Sequence, residues 1–277
     1  MGARVITNTS GKGGVGKTTA TANLAVALAN LGKKVVCIDA DIGLRNLDVI
    51  MGLENRIVYD LVDVVEGRCK LRQAMVKDKR VPDLYLLPAA QTRDKTAVSP
   101  QDMIGLTNQL RGDYDYILID SPAGIEWGFR NALAPADEVI VITNPELPSV
   151  RDADRIIGLV EAEGRKIPTS LVINRTKQDM IRKGDMLSVT DVLDILSTPL
   201  LGVIPDDEQI IVASNKGSPL TLNNQKSPAS EAIRDIARRI NGAKIPIGEL
   251  EQKKGGLFRR LARLFRRLAR LFRRSGA

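Results

Sequence analysis

The chain has 277 residues, 43% of them apolar and 27% charged, which supplies a core for one or two domains and excludes a disordered segment. It holds no histidine and only two cysteines, Cys37 and Cys69. Ser-His-Asp triads, Cys-His dyads, histidine zinc sites, four-cysteine metal sites and a disulfide framework are therefore excluded. The formal charge of +8 belongs to one end: Lys253 to Ala277 carry two lysines, eight arginines and no acid, which leaves −2 for residues 1–252.

The first residues, Met1 to Ile6, lack the basic flank and long apolar stretch of a signal peptide, and Ile6 stands where a myristoylation signal needs Ser or Thr. No apolar run approaches the roughly 20 residues that span a bilayer. With so few cysteines, a reducing cytoplasm is the expected compartment.

Val5 to Thr9 is a β-branched run that predicts a strand, and Thr19 to Leu31 follows as a helical pattern. Between them lies Gly11-Lys12-Gly13-Gly14-Val15-Gly16-Lys17-Thr18, a match to G-x-x-x-x-G-K-T in its required strand-to-helix context. The glycines let backbone N–H groups turn inward around phosphates, Lys17 faces the β and γ phosphates, and the Thr18 hydroxyl ligates Mg²⁺. Lys12 is a second lysine that such a loop does not require; by spacing alone it also reads as a solvated side chain.

Further apolar runs follow at Val35 to Asp39, Leu84 to Pro88, Tyr116 to Asp120, Val139 to Thr143, Ser170 to Asn174 and Leu200 to Pro205, each closed by a polar or glycine-rich turn. Uniformly apolar strands alternating with helical patterns predict an α/β fold with a doubly wound, mostly parallel sheet. Ligands in such sheets bind at the carboxyl ends of the strands. Asp39 and Asp120 stand at two of those ends, placed for the Mg²⁺ shell, and Asp120 is the Walker B candidate. Asp41, just beyond the second strand, is assigned to orienting the attacking water, with a helix cap or turn as the other reading. Gly124 can bring an N–H toward the γ-phosphate, which would let its loop distinguish ATP from ADP. Asn174 can bond an adenine edge or close a turn.

A last helix is predicted from Ser227 to about Ile240, stopped by Asn241-Gly242. The expected organisation is a P-loop ATPase domain over 1–245, a linker over 246–256 and an amphipathic helix over 257–274. That third segment reads LFRRLAR, LFRRLAR, LFRR. At about 100° per residue, Leu257, Phe258, Leu261, Leu264, Phe265, Leu268, Leu271 and Phe272 fill an arc of roughly 140°, opposite the arginines. It reads as a helix lying in the interface of an anionic membrane. A coiled-coil seam and an arginine-rich nucleic-acid helix are the competing readings, and the first would set unpaired arginines against each other.

Lys12-Gly13-Gly14-Val15-Gly16-Lys17-Thr18 resembles the deviant Walker A motif of the MinD/ParA ATPase family. The stretches Asp39 to Leu53, Ser121 to Glu126, Arg151 to Arg155 and Ile204 to Asp207 resemble its septum-site branch more than its partition branch, and the likeness runs from residue 3 to about 245. It implies a nucleotide site on Gly11 to Thr19, Asp39, Asp41, Asp120, Asn174 and Pro205, with ATP and Mg²⁺ as cofactors. It further implies that Lys12 reaches a partner's phosphates in an ATP-dependent homodimer. The implied activity is ATP hydrolysis; the implied place is peripheral, on the inner face of the cell membrane. The implied partners are a MinC-like division inhibitor and a MinE-like stimulator of hydrolysis and release. The alternative is a ParA-like DNA-partitioning ATPase, which the near-neutral body disfavours. Iron-sulfur carriers of the superfamily need paired cysteines that Cys37 and Cys69 do not provide.

Overall fold

The computed structural model describes residues 2–222 and 226–247. Arg4–Thr9, Val35–Asp39, Val76–Lys77, Leu84–Leu87, Tyr116–Asp120, Glu138–Thr143, Thr169–Thr176 and Leu200–Pro205 form strands β1 to β8 of one sheet. Their order is β3-β4-β2-β5-β1-β6-β7-β8, and every pairing is parallel except that of β3 with β4. The expected strands are all present within one or two residues of their limits. β3 is the addition, a two-residue element too short to carry a hydrophobic period.

Both faces of the sheet are covered, and the strands divide their side chains between them with period two. Cys37, Leu118 and Ile140 join one core with the helices Lys17–Asn30 and Pro228–Ile240, whereas Ile38, Ile117 and Val141 enter cores on the opposite face. Burial on both faces explains why these runs show no polar alternation. The helix Lys17–Asn30 is itself enclosed, and its Ala-Thr-Ala-Asn-Leu-Ala composition keeps its girth small between the sheet and its neighbours. It begins at Lys17, two residues earlier than the sequence pattern predicts, because Gly16 in the left-handed region ends the loop there.

The last helix runs Pro228–Ile240. The Ser227 side chain accepts the Ser230 N–H, and Asn241 with Gly242 at φ +94° ends it. On the described chain Arg4 Nη1 donates to the Ile240 carbonyl at 2.5 Å, fixing this helix end against the amino-terminal edge of β1. Among the described residues no helix is long and apolar enough to cross a membrane. The 257–274 segment, with Leu257, Phe258, Leu261, Leu264, Phe265, Leu268, Leu271 and Phe272, lies outside the described residues, as does the linker beyond Ile247.

Candidate functional site

The glycine-rich loop leaves β1 and turns at Gly14 and Gly16, whose φ values are +79° and +91°. Position 16 needs glycine twice over: its backbone is left-handed, and a Cβ there would lie 2.5 Å from Asn174 Nδ2. Gly11 is equally confined, because a Cβ would run into the Asp152 backbone of the helix Leu147–Ala162. Two bonds clamp the loop from outside, Asn174 Nδ2 to the Val15 carbonyl at 2.7 Å and the Gly124 N–H to the Ser10 carbonyl at 3.0 Å. The Gly124 N–H is therefore not bare, as the sequence suggested, and its turn toward a phosphate requires release of Ser10. Gly13, Gly14, Thr18 and Thr19 remain open to solvent, in whole or in part, at a helix N-terminus, where N–H groups and the helix dipole favour an anion.

The parallel register sets Asn8, Asp120 and Asp39 side by side at the ends of β1, β5 and β2. Lys17 Nζ lies 3.0 Å from Asp120 Oδ1, and both side chains are buried. The Thr21 hydroxyl donates to the same oxygen at 2.9 Å, while Asp120 Oδ2 is buried with no partner among the described residues. Asp39 is held differently, its two oxygens accepting the Asp41 N–H at 3.0 Å and the Leu47 N–H at 3.2 Å. It thus shapes the turn that carries Asp41. An outer-shell role toward the metal agrees with that geometry better than direct ligation.

Burial first, and then the charge of Asp120, push the Asp39 carboxyl up to about 7, against the lowering effect of its two N–H donors and Lys17. Between 3.8 and about 7 the folded protein holds a proton on Asp39 that the unfolded chain has released, so stability declines as pH rises through that window. Asp39→Asn is expected to flatten this decline in nucleotide-free urea unfolding measured at about pH 5 and about pH 8. An undiminished slope in the variant would remove Asp39 as its cause.

Asp41 is half-buried, and burial raises its carboxyl against the opposing charge of Lys17, with Asp120 adding to the rise. It therefore shares the field of Lys17. Lys12 is exposed, with Nζ 4.0 Å from Glu146 Oε2. It stands outside the buried Lys17, Asp120 and Asp39 cluster of its own chain.

Behind Gly16 a cavity of about 170 Å³ is lined by Thr19, Ala20, Asn174, Arg175, Ile204 and Asp206, among others. Ala20, Ile204, Ile210 and Ile233 give it apolar walls beside Asn174, which suits a planar base; Asn174 Oδ1 is buried with no partner among the described residues. Pro205 does not line the cavity, although its neighbours Ile204, Asp206 and Asp207 do. Sequence reasoning also missed Arg175, whose φ of +56° falls where the β7–β8 register is irregular. A left-handed non-glycine residue beside a ligand cavity marks stored backbone strain. Thr21 was missed as well, and its position one turn after Lys17 was the available signal.

The glycine cradle, the orphaned Asp120 Oδ2 and Asn174 Oδ1, and the all-oxygen donor set of Thr18 and Asp120 fit a nucleotide with Mg²⁺. A model of the CobQ/CobB/MinD/ParA nucleotide binding domain matches residues 6–220. The septum site-determining protein MinD of Bacillus subtilis is 55% identical over 254 residues, spanning 91% of this chain and 94% of that protein. The chain belongs to the MinD family. Two solved MinD structures superpose on it. The MinC:MinD cell division protein complex of Aquifex aeolicus matches with a TM-score of 0.82 and 50% identity, covering 90% of this chain and all of that one (100%). The septum site-determining MinD of Pyrococcus horikoshii, solved with Mg-ADP, matches with a TM-score of 0.78 and 32% identity over 88% of this chain and 100% of that one. As a MinD-family member the chain is a P-loop ATPase, and the partition reading is not favoured.

Proposed function

We propose that this ATPase positions the division septum by an ATP-gated cycle of dimerisation and membrane binding, recruiting a MinC-like inhibitor while ATP is bound. The observation that carries the dimer is Lys12, a P-loop lysine that stands exposed beside Glu146 while Lys17 alone faces the buried carboxylates. A second subunit packed on this edge would bring its own Lys12 to the phosphates in the facing cradle. The MinC:MinD complex of the Aquifex relative supports the inhibitor as partner. Release through a MinE-like stimulator completes the cycle.

In the hydrolytic step water attacks the γ-phosphorus as its bond to the bridging oxygen of ADP breaks, giving ADP and phosphate. Asp41 orients the water, Lys17 neutralises the phosphate oxygens, and the P-loop N–H groups hold the chain of phosphates in place. Thr18 and Asp120, with Asp39 behind them, are the residues that would hold Mg²⁺, which neutralises phosphate charge when bound. A change of partner for Gly124, from Ser10 to the γ-phosphate, would couple nucleotide state to the loop after β5.

The membrane part of the reading rests on the repeated segment 257–274, following a linker at 246–256 and the ATPase domain at 1–245. Eight apolar side chains on one arc and eight arginines on the other give burial and attraction to anionic lipid together. The protein would act from the cytoplasm at the inner face of the cell membrane.

Lys12→Ala is expected to bind ATP nearly as well as the unaltered protein but to stay monomeric with a slowly hydrolysed analogue, and to lose turnover. Size-exclusion chromatography with that analogue decides it; a normal dimer would remove Lys12 from the interface. Sedimentation with anionic vesicles in ADP and in ATP tests the membrane gate, and equal binding in both states would show that the long tail holds without dimerisation.

A further inference from the structure

We propose that the sheet edge remote from the nucleotide is a second membrane-contacting surface, on which the folded body settles against anionic lipid headgroups once the tail has inserted. This rests on the membrane reading above. The parallel sheet collects the amino-terminal ends of its strands on one edge, and the turns leading into them present their side chains there. Lys33 and Lys34 precede β2, Lys79 precedes β4, Lys166 precedes β7, and Lys244 follows the last helix. None of the five forms an ion pair among the described residues, and all but the half-buried Lys33 are exposed.

The neighbouring charges are mostly spoken for. Arg4 pairs with Glu138, Arg111 with Asp137 and Arg72 with Asp113. Asp83, Asp115 and Glu163 remain as acids without a cationic partner among the described residues, and Asp115 is engaged by the Lys34 backbone N–H at 2.8 Å. Lysines therefore outnumber free carboxylates on this edge of a body whose residues 1–252 carry −2. The opposite edge gathers Asp39, Asp41, Asp120, Asp206 and Asp207 around the cradle.

The place where the chain departs selects a lipid surface over other polyanions. Arg4 and Tyr116 hold the helix end, through the Ile240 carbonyl at 2.5 Å and Asn241 Oδ1 at 3.2 Å. Arg239 then ties down the carbonyls of Ile245 at 2.9 Å and Pro246 at 3.0 Å. Arg239 also donates to the Leu201 carbonyl of β8 at 3.0 Å, so the exit lies on this same edge, on the β8 side of β1. Nine residues separate Ile247 from Leu257, ten Cα steps with a reach of no more than about 36 Å. A tail lying in the interface keeps this edge over the headgroups. Contact brings its lysines within the Debye length of about 8 Å, where each adds attraction.

The test uses the full chain with Lys33→Gln, Lys34→Gln, Lys166→Gln and Lys244→Gln together, on phosphatidylglycerol-containing vesicles and on phosphatidylcholine vesicles. The expected result is roughly tenfold weaker partitioning to the anionic vesicles and a shallower salt dependence. Binding to neutral vesicles and affinity for ATP should be unchanged, since the cradle lies at the other end of the strands. A control, Phe258→Asp with Phe265→Asp and Phe272→Asp, reports on the tail alone. If the control abolishes binding while the four-lysine variant binds as tightly and as salt-sensitively as the parent, this surface proposal fails and the tail reading stands. If the parent chain binds no vesicles, both fail. Loss of DNA retention by the lysine variant, with vesicle binding intact, would make the edge a nucleic-acid surface and overturn the proposal.

Discussion

Lys17→Ala is expected to abolish productive ATP binding and to lower turnover by at least about 100-fold, because it removes the cation assigned, in the reading proposed above, to the β and γ phosphates. The same change strips Asp120 of its buried partner 3.0 Å away and leaves two carboxylates, Asp39 and Asp120, facing each other in the core. Breaking a buried pair from one side costs about 3–5 kcal/mol when the remaining charge stays ionised. The variant should accordingly unfold at lower urea. Isothermal titration with Mg·ATP and urea unfolding measure the two effects. Retained ATP affinity would overturn the phosphate-loop assignment, and unchanged stability would show that the Lys17–Asp120 pair is not fixed in solution.

Asp41→Ala separates chemistry from binding. Alanine keeps the backbone N–H that Asp39 accepts at 3.0 Å, so the turn survives. What disappears is the half-buried carboxylate beside Lys17 and Asp120. Affinity for Mg·ATP and analogue-driven dimerisation should persist, whereas turnover should drop by about 100-fold or more. The trapped ATP state should accumulate on anionic vesicles. Phosphate release under single-turnover conditions, with nucleotide binding measured in parallel, decides it; lost binding would move Asp41 into the scaffold of the cradle.

The sheet and its ligand edge were legible because each strand is buried on both faces and so appears as an unbroken apolar run ending at a polar turn. The phosphate loop was legible for another reason: its glycines answer local backbone demands, φ of +79° at Gly14 and +91° at Gly16. Asp39 and Asp120 could be named as a pair of strand ends. Their difference in role could not, because it depends on what the register brings near each. Asp120 receives Lys17 and Thr21, from the helix behind it, while Asp39 receives two backbone N–H groups of its own loop.

Residue pairs distant in sequence set the rest. That Asn174 clasps the Val15 carbonyl, 159 positions away, is a consequence of β7 lying two strands from β1. The engagement of Gly124 by Ser10 follows likewise from β5 lying beside β1. Local periodicity contains neither fact, since strand order is chosen by how helices cover the sheet rather than by any one segment's pattern. The sequence by itself determined the α/β class, the phosphate cradle, the candidate carboxylates and the basic amphipathic repeat, all of which depend on residues close together in the chain. Only the tertiary structure decided which carboxylate is paired, which N–H is already engaged, and which sheet edge carries the free lysines, because each of these is a meeting of segments that the chain keeps far apart.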